Sequence, residues 1–471
     1  MTTEVATSKI AGLPYWDLTF DEDGHADPHQ ADDFRAGLED QQITDVVIFS
    51  HGWNASQANA RALYNGFFSL LADQLPHGPG DPLHVVGVAG VVWPAQLWAD
   101  EPIPEFAAPD VGGGGGGTAA FRPSAPVGAA AADPALDAET LDSLRALFPA
   151  ATGPLETMSG LLTGPLTSQT QAEFFRQLAE FSRLAGGPAE HDDDGEHDPT
   201  RPAAPGEPRM LQDDPTALFT RYRDALADVG VPLGGGTEGG TAGFGDVLHG
   251  IWNGAKEALR QATYFQMKRR AGVVGKNGLG PLIGTLHATS PNVRVHLVGH
   301  SFGARLVSFA LAGLPDNLDP SPVKAVTLLE GAFSHFAFAA PLPFDAHRNG
   351  ALAGMLARID GPLTACFSTH DSAVGTFYPL ASIAGHDDSA GTHSPLYRWG
   401  AMGADGAQGV DATLVSIRGS GPGTTYPFAK GQALSIDASS VVKTGRPPSG
   451  AHSDIIHSEL SWVVLSAGGL V

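Results

Sequence analysis

One cysteine in 471 residues, Cys366, leaves no intramolecular disulfide to be made. It stands inside the apolar run Leu363-Thr364-Ala365-Cys366-Phe367, where a buried thiol is expected rather than a reactive one. Basic residues are scarce too: 27 Lys and Arg stand against 51 Asp and Glu, a formal charge of −24. Such a surface repels nucleic acid and anionic membranes, so neither is expected as a partner. No window is apolar enough for a membrane span, and residues 1–11 lack the basic start and apolar run of a secretion signal. A cytoplasmic protein is therefore expected. Internal repeats are also absent.

What is present alternates. Asp45-Val46-Val47-Ile48-Phe49 reads as a buried strand; it runs into Ser50-His51-Gly52-Trp53-Asn54 and a helical pattern over 58–75. Residues 83–93 give a second strand, stopped by Trp93-Pro94. Before them, Tyr15-Trp16-Asp17-Leu18-Thr19-Phe20 suits an edge strand closed by a turn at Asp21-Glu22-Asp23-Gly24. Later runs at 293–298, 323–329, 363–367, 413–417 and 433–436 continue the series, and a closing helix carries Leu460, Trp462 and Val463. Strands alternating with helices predict an α/β fold with a mainly parallel sheet covered on both faces. At this length one large core with an insertion and two domains are both open.

The character changes across residues 101–245. The glycine run at 112–117, an alanine-rich stretch near Ala129, the acidic tract at 191–198 and the proline-rich residues 202–208 read as linkers. His191 and His197 flank aspartates there, but a solvated loop is the better reading than a metal site. Between the linkers lie three helical patterns. Asp133-Pro134 starts one bearing Leu141, Leu144, Leu147 and Phe148; Phe174, Leu178, Phe181 and Leu184 mark a second; Asp214-Pro215 starts a third bearing Leu218, Tyr222 and Leu226. Another helix ends at Tyr264-Phe265-Gln266-Met267-Lys268-Arg269-Arg270. The expected division is a core of residues 1–100 and 246–471 with a helical cap, 101–245, over the carboxyl edge of the sheet.

The chemistry centres on Arg294-Val295-His296-Leu297-Val298-Gly299-His300-Ser301-Phe302-Gly303, an apolar strand broken by Gly-x-Ser-x-Gly and followed by an apolar helix. Glycine on either side lets strand and helix approach closely, and the serine is held in a strained turn above a helix amino terminus. A serine hydroxyl needs a base, and the base a carboxylate. Asp371 follows the 363–367 strand and His452 the last strand region, which is serine, acid, histidine in chain order. Glu330, at the end of the 323–329 strand, is the alternative acid. His51 and His300 read as loop-shaping residues, and His457 belongs with the closing helix.

These motifs, Gly299-His300-Ser301-Phe302-Gly303 with His51-Gly52-Trp53, Asp371 and His452, resemble the lipase and esterase branch of the α/β-hydrolase superfamily over residues 40–100 and 245–471. The resemblance implies a serine esterase using Ser301, Asp371 and His452, with an oxyanion hole from the backbone N–H groups of Trp53 and Phe302, no cofactor, and a small-molecule ester as substrate. Its His-Gly-Trp loop is shorter than the glycine run of some lipases. Phe333, Phe336 and Phe338 are candidates to line an acyl pocket, with core packing the alternative. Acyl transfer from the same acyl-enzyme, and a hydrolase-like fold used only for binding, are the rival functions.

Overall fold

The run Asp45–Ser50 is buried at every position. Its two-residue period divides the apolar side chains between two cores, Val46 and Ile48 into one and Val47 and Phe49 into the other. A strand with no polar face must lie in the middle of a covered sheet. The computed structural model describes residues 8–76, 84–95, 98, 134–185, 211, 214–228, 244–316, 318–377, 398–445 and 449–471. The glycine run at 112–117, the tract at 191–198 with His191 and His197, and residues 202–208 lie outside these.

The strands are β1 (Ser8–Ile10), β2 (Leu13–Thr19), β3 (Asp45–Ser50), β4 (Val86–Val92), β5 (Arg294–His300), β6 (Val323–Leu329), β7 (Leu363–Phe367), β8 (Ala412–Ser416) and β9 (Ala433–Asp437). They form one sheet in the order β1-β2-β4-β3-β5-β6-β7-β9-β8, parallel throughout except for the β1–β2 pair. The expected edge strand at 15–20 is thus one place in, because the short β1 pairs antiparallel along its outer side. At the other end β8 is a true edge, and its Leu414 is 65% exposed.

The longer α-helices among the described residues are α1 (Pro28–Asp40), α2 (Gln57–Gln74), α3 (Ala138–Leu147), α4 (Thr152–Leu162), α5 (Ser168–Leu184), α6 (Pro215–Asp228), α7 (Phe244–Val273), α8 (Gly280–Thr289), α9 (Phe302–Gly313) and α10 (Ser458–Gly468). One face of the sheet is covered by α1, α8 and α9 through Phe34, Leu38, Ile283, Leu286, Leu306 and Phe309. The other is covered by α2 and α10 through Leu63, Phe67, Phe68, Leu460, Val463 and Val464. No helix among the described residues is long and apolar enough to cross a membrane.

Several boundaries differ from expectation. Helix α3 starts after Asp137, whose carboxylate caps the Thr140 N–H at 2.8 Å, and not at Asp133-Pro134. Helix α4, with Leu155, Met158 and Leu162 buried, was not foreseen. Helix α7 does not stop near Arg270 but runs through a wider π turn, Val274–Leu279, into α8. Its first residue, Phe244, also puts the expected 245/246 boundary inside a helix. Helices α3 to α6 pack on α7 within the same apolar cluster as the sheet, with Phe174 5.6 Å from Phe219 and 5.8 Å from Trp252.

Candidate active site

Strand β5 delivers Ser301 and helix α9 leaves it. Between them Ser301 adopts φ 57°, ψ −123°, a conformation that costs a non-glycine residue on the order of 1–3 kcal/mol. The surroundings hold it there: Ser301 N–H donates to Leu329 O at 3.1 Å, and its carbonyl accepts from Ala304 N and Ala332 N. Glycine at 303 is obligatory, since a Cβ there would lie 2.0 Å from Ser50 O. The helix thus starts hard against β3 and β5, with its first N–H groups unspent inside the helix.

Asp371 and His452 come from loops after β7 and β9 that are laced together. Ser368 Oγ donates to Val442 O at 2.6 Å and accepts from His370 N–H, while Ala451 N–H donates to His370 O at 3.0 Å. Asp371 and Gly450 form a bridge, and Gly450 sits at φ 62°, where a side chain would strike His370 O and Ser372. Asp454 braces the far side by accepting from Lys443 N and Thr444 N at 2.9 and 2.8 Å. The result is a relay: His452 Nδ1 donates to Asp371 Oδ2 at 2.6 Å, and His452 Nε2 faces Ser301 Oγ at 2.8 Å. With Nδ1–H committed to the carboxylate, Nε2 is free to accept the serine proton. Asp371 Oδ1 accepts from Val374 N at 3.1 Å. Ser301 is only 5% exposed.

The His51–Asn54 turn lies over the serine. A Cβ at Gly52 would come within 2.6 Å of Ser301 Cβ and 3.2 Å of its Oγ, so bare backbone abuts the serine. The turn is pinned from several sides. His51 N–H donates to Tyr64 Oη at 3.0 Å, Trp93 Nε1 to His51 O at 3.1 Å, and Asn54, itself at φ 57°, exchanges two hydrogen bonds with the Trp98 backbone. Trp53 packs 6.2 Å from Phe302, and Tyr264 of α7 closes the triangle at 5.7 and 4.7 Å from them. Beside Ser301 the chain thus offers the turn at 52–53 and the first N–H of α9, at Phe302, two places from which donors can meet an oxyanion.

The other candidates separate. Phe333, Phe336 and Phe338 are all buried, and Phe333 meets the space beside Gly331 that Ala304 of α9 also borders. Phe336 packs in a cluster of its own with Ala339, Leu342 and Phe344. Phe338 belongs to the large core. His51 stacks on Trp93, its Nδ1 bonded to Gly52 O at 2.8 Å, and burial pushes its pKa down to about 4. His300 bonds through Nε2 to the His452 carbonyl at 2.7 Å, and burial, then the nearby His452, hold it well below the usual histidine range. It props the loop rather than reaching Ser301 Oγ.

Glu330 is buried next to Asp371 instead of reaching His452, and burial with that neighbour raises its carboxyl well above the usual range. Cys366 is buried, its thiol pushed up by burial and by Glu330. His457 caps α10 and bonds Asp454 at 3.0 Å. Among the described residues no group of three or more His, Cys, Asp or Glu side chains could hold a metal ion. Sequence reasoning missed the supports Tyr64, Asn54 and Asp454. Only Asn54 carried a local signal, a turn residue that tolerates positive φ. No protein-family model matches the chain, and searches of curated proteins and of solved structures returned no match.

Proposed function

We propose that the protein is a serine hydrolase of the α/β-hydrolase kind that cleaves carboxylic esters of small molecules. The observation that carries this reading is the Ser301–His452–Asp371 relay, with hydrogen bonds of 2.8 and 2.6 Å and the serine on a strained turn. His452 Nε2 takes the Ser301 proton as Oγ attacks the ester carbonyl, and Asp371 holds the imidazole tautomer and steadies the imidazolium. The tetrahedral oxyanion lies toward the N–H groups of Trp53 and Phe302, each worth roughly 3 kcal/mol in such sites. His452 returns the proton to the leaving alcohol. Water, activated by the same histidine, then releases the acid from Ser301.

The apolar surroundings favour an ester with an apolar acyl part. Phe302, Phe333 and partly buried Trp53 lie around the elbow, and Tyr264 joins the insertion-bearing helix α7 to it. Helices α3 to α6 are proposed as a cap that excludes water from the acyl-enzyme. The test is covalent labelling of the intact chain by a fluorophosphonate, with hydrolysis of p-nitrophenyl esters measured beside it. Labelling confined to Ser301, with ester turnover, is expected. An unlabelled, inactive but folded chain would leave a fold used for binding.

A further inference from the structure

The carboxyl of Glu330 is 1% exposed at the end of β6, on a residue forced to φ 47°. A glutamate is an unlikely tenant of that conformation unless its side chain is needed there. Its backbone lies hard against the turn Met402–Asp405, where a Cβ on Gly403 would meet Glu330 C at 2.5 Å. Oε2 accepts from Ser368 N–H at 3.1 Å. No donor among the described residues reaches Oε1. Ser368 ties the carboxyl to the acid loop, since its N–H binds Oε2 and its carbonyl accepts Asp371 N–H at 3.3 Å, and the Asp371 carboxyl is the charged neighbour that acts on Glu330 most strongly.

The groups facing Glu330 are Asp371 after β7, Asp437 at the end of β9 and the Cys366 thiol of β7, with His452 behind Asp371. Asp405, at the end of the neighbouring turn, is taken up by His335 at 2.7 Å. Glu330 forms no ion pair with Lys or Arg among the described residues. Two carboxyls side by side in such a place cannot both be ionised, since desolvation and like charge act together. Burial, then the Asp371 charge, raise the Glu330 carboxyl well above the usual range, so the proton belongs on Glu330.

We infer that Glu330 is a positioning residue, whose carboxyl donates a hydrogen bond to Asp371 and, with the Val374 N–H, fixes that carboxylate in the orientation His452 requires. This rests on the hydrolase reading for its functional part, while the protonated Glu330 rests on its burial, its unpartnered Oε1 and the neighbouring Asp371 carboxyl. A neutral acid here supplies a donor that a second carboxylate would deny, and it leaves the negative charge of Asp371 undiluted by a cation. It also sets an alkaline limit: once Glu330 ionises, it repels Asp371 and accepts where it had donated.

The test uses the full chain and the variants Glu330→Gln and Glu330→Leu. Glutamine keeps a donor for Asp371 and an acceptor for Ser368 N–H, and cannot ionise. Leucine should lower kcat by about 10- to 100-fold with little change in KM, the effect of one lost hydrogen bond to a charged group. Glutamine should restore most of that loss, and its pH profile should lack the alkaline fall of the parent. An infrared C=O band of a protonated buried acid at neutral pH should be present in the parent and missing in Glu330→Gln. The inference is overturned if glutamine is as impaired as leucine, if the alkaline limbs coincide, or if the band is absent. Should leucine not fold, the glutamine profile and the band decide alone. A parent chain that shows the band but does not label with fluorophosphonate would refute the hydrolase reading while leaving the proton on Glu330.

Discussion

Two histidine–aspartate pairs sit at opposite ends of the same, mainly parallel, sheet. At the carboxyl ends His452 meets Asp371 at 2.6 Å; at the amino ends His296 of β5 meets Asp45 of β3 at 2.8 Å. The hydrogen bond is nearly the same, and the chemistry available is not. Asp45 also takes Arg294 at 2.7 Å, His84 at 3.1 Å and the Thr44 hydroxyl at 2.8 Å. Burial would raise its pKa, but the bonds from His296 and Arg294 overcome this and hold it well below the carboxylate range. Among the described residues Asp371 has the His452 imidazole, a backbone N–H and a carboxyl for company, and no Lys or Arg. Beyond the imidazole the contrast is sharper: His452 Nε2 faces a serine, whereas His296 Nδ1 has no hydrogen-bond partner and lies against Gly468. A histidine–aspartate pair becomes a base only when its far nitrogen has a proton to take and its carboxylate is not already neutralised.

The largest effect expected is at Ser301. Ser301→Ala should reduce ester turnover by more than about 10⁴-fold and abolish fluorophosphonate labelling, with the thermal midpoint nearly unchanged. Full activity in the variant would end the hydrolase reading.

Exchanging each aspartate for asparagine tests the comparison directly. Asp371→Asn should lower kcat by about 10⁴-fold through the wrong imidazole tautomer, with a modest change in urea stability. Asp45→Asn should instead leave kcat of the folded protein alone and cost about 3–5 kcal/mol, because it strands Arg294 beside a buried histidine. The parent's unfolded chain takes up protons at Asp45 before the folded chain does. Its contribution is therefore full above about pH 4 and lost as pH falls further, a loss the asparagine variant should lack. An Asp45→Asn protein as stable as the parent but slower would collapse the distinction between the two sites.

His51 is a buried histidine with no carboxylate partner among the described residues. With its folded pKa near 4, the unfolded state binds the proton first as pH drops. Stability is then complete above about pH 6.5 and lost toward pH 4, by about 3 kcal/mol. Urea midpoints measured across that window should fall in the parent and stay flatter in His51→Asn. Parallel curves would mean that His51 does not carry the dependence.

The smallest effect concerns selectivity. Phe333→Ala should shift the preference between short and long acyl esters by about tenfold, the scale of a few methylene contacts. Phe336→Ala, in its separate cluster, should destabilise the chain without moving that preference. Equal shifts from both would bring Phe336 back to the serine's surroundings.

The sheet and the relay were largely legible in the chain. Buried strands such as Val46-Val47-Ile48-Phe49 advertise themselves by β-branched and aromatic density, and the residues at the ends of β5 and β7 and beyond β9 follow from them. The spatial order, with β9 between β7 and β8, was not legible, because it depends on a crossover and leaves no local pattern. The α7–α8 continuation was hidden for another reason. A helix was expected to end at 264–270, yet at Gly275 a missing side chain is what lets α7's extension touch the α9 backbone, where a Cβ would lie 2.1 Å from Leu306 O. Glu330 was weighed as an acid for His452, and its partner Asp371 could be found only in space, 41 residues further along the chain.

The parallel register that carries Ser301, Asp371 and His452 to one edge makes the relay a late and collective product of folding. Residues 301 and 452 lie 151 positions apart, and 371 and 452 lie 81 apart. The relay closes only if β5–β6, β6–β7 and β7–β9 all pair as they do, Leu363 opposite Ala433 and Leu329 opposite Cys366. A slip of one residue in any of these ladders would move a loop by about 3.3 Å and turn its side chains to the wrong face. During refolding, reactivity at the serine should therefore appear after the tryptophans are buried. A chain that collapses with one ladder out of step would look folded to every optical probe and leave Ser301 without its histidine.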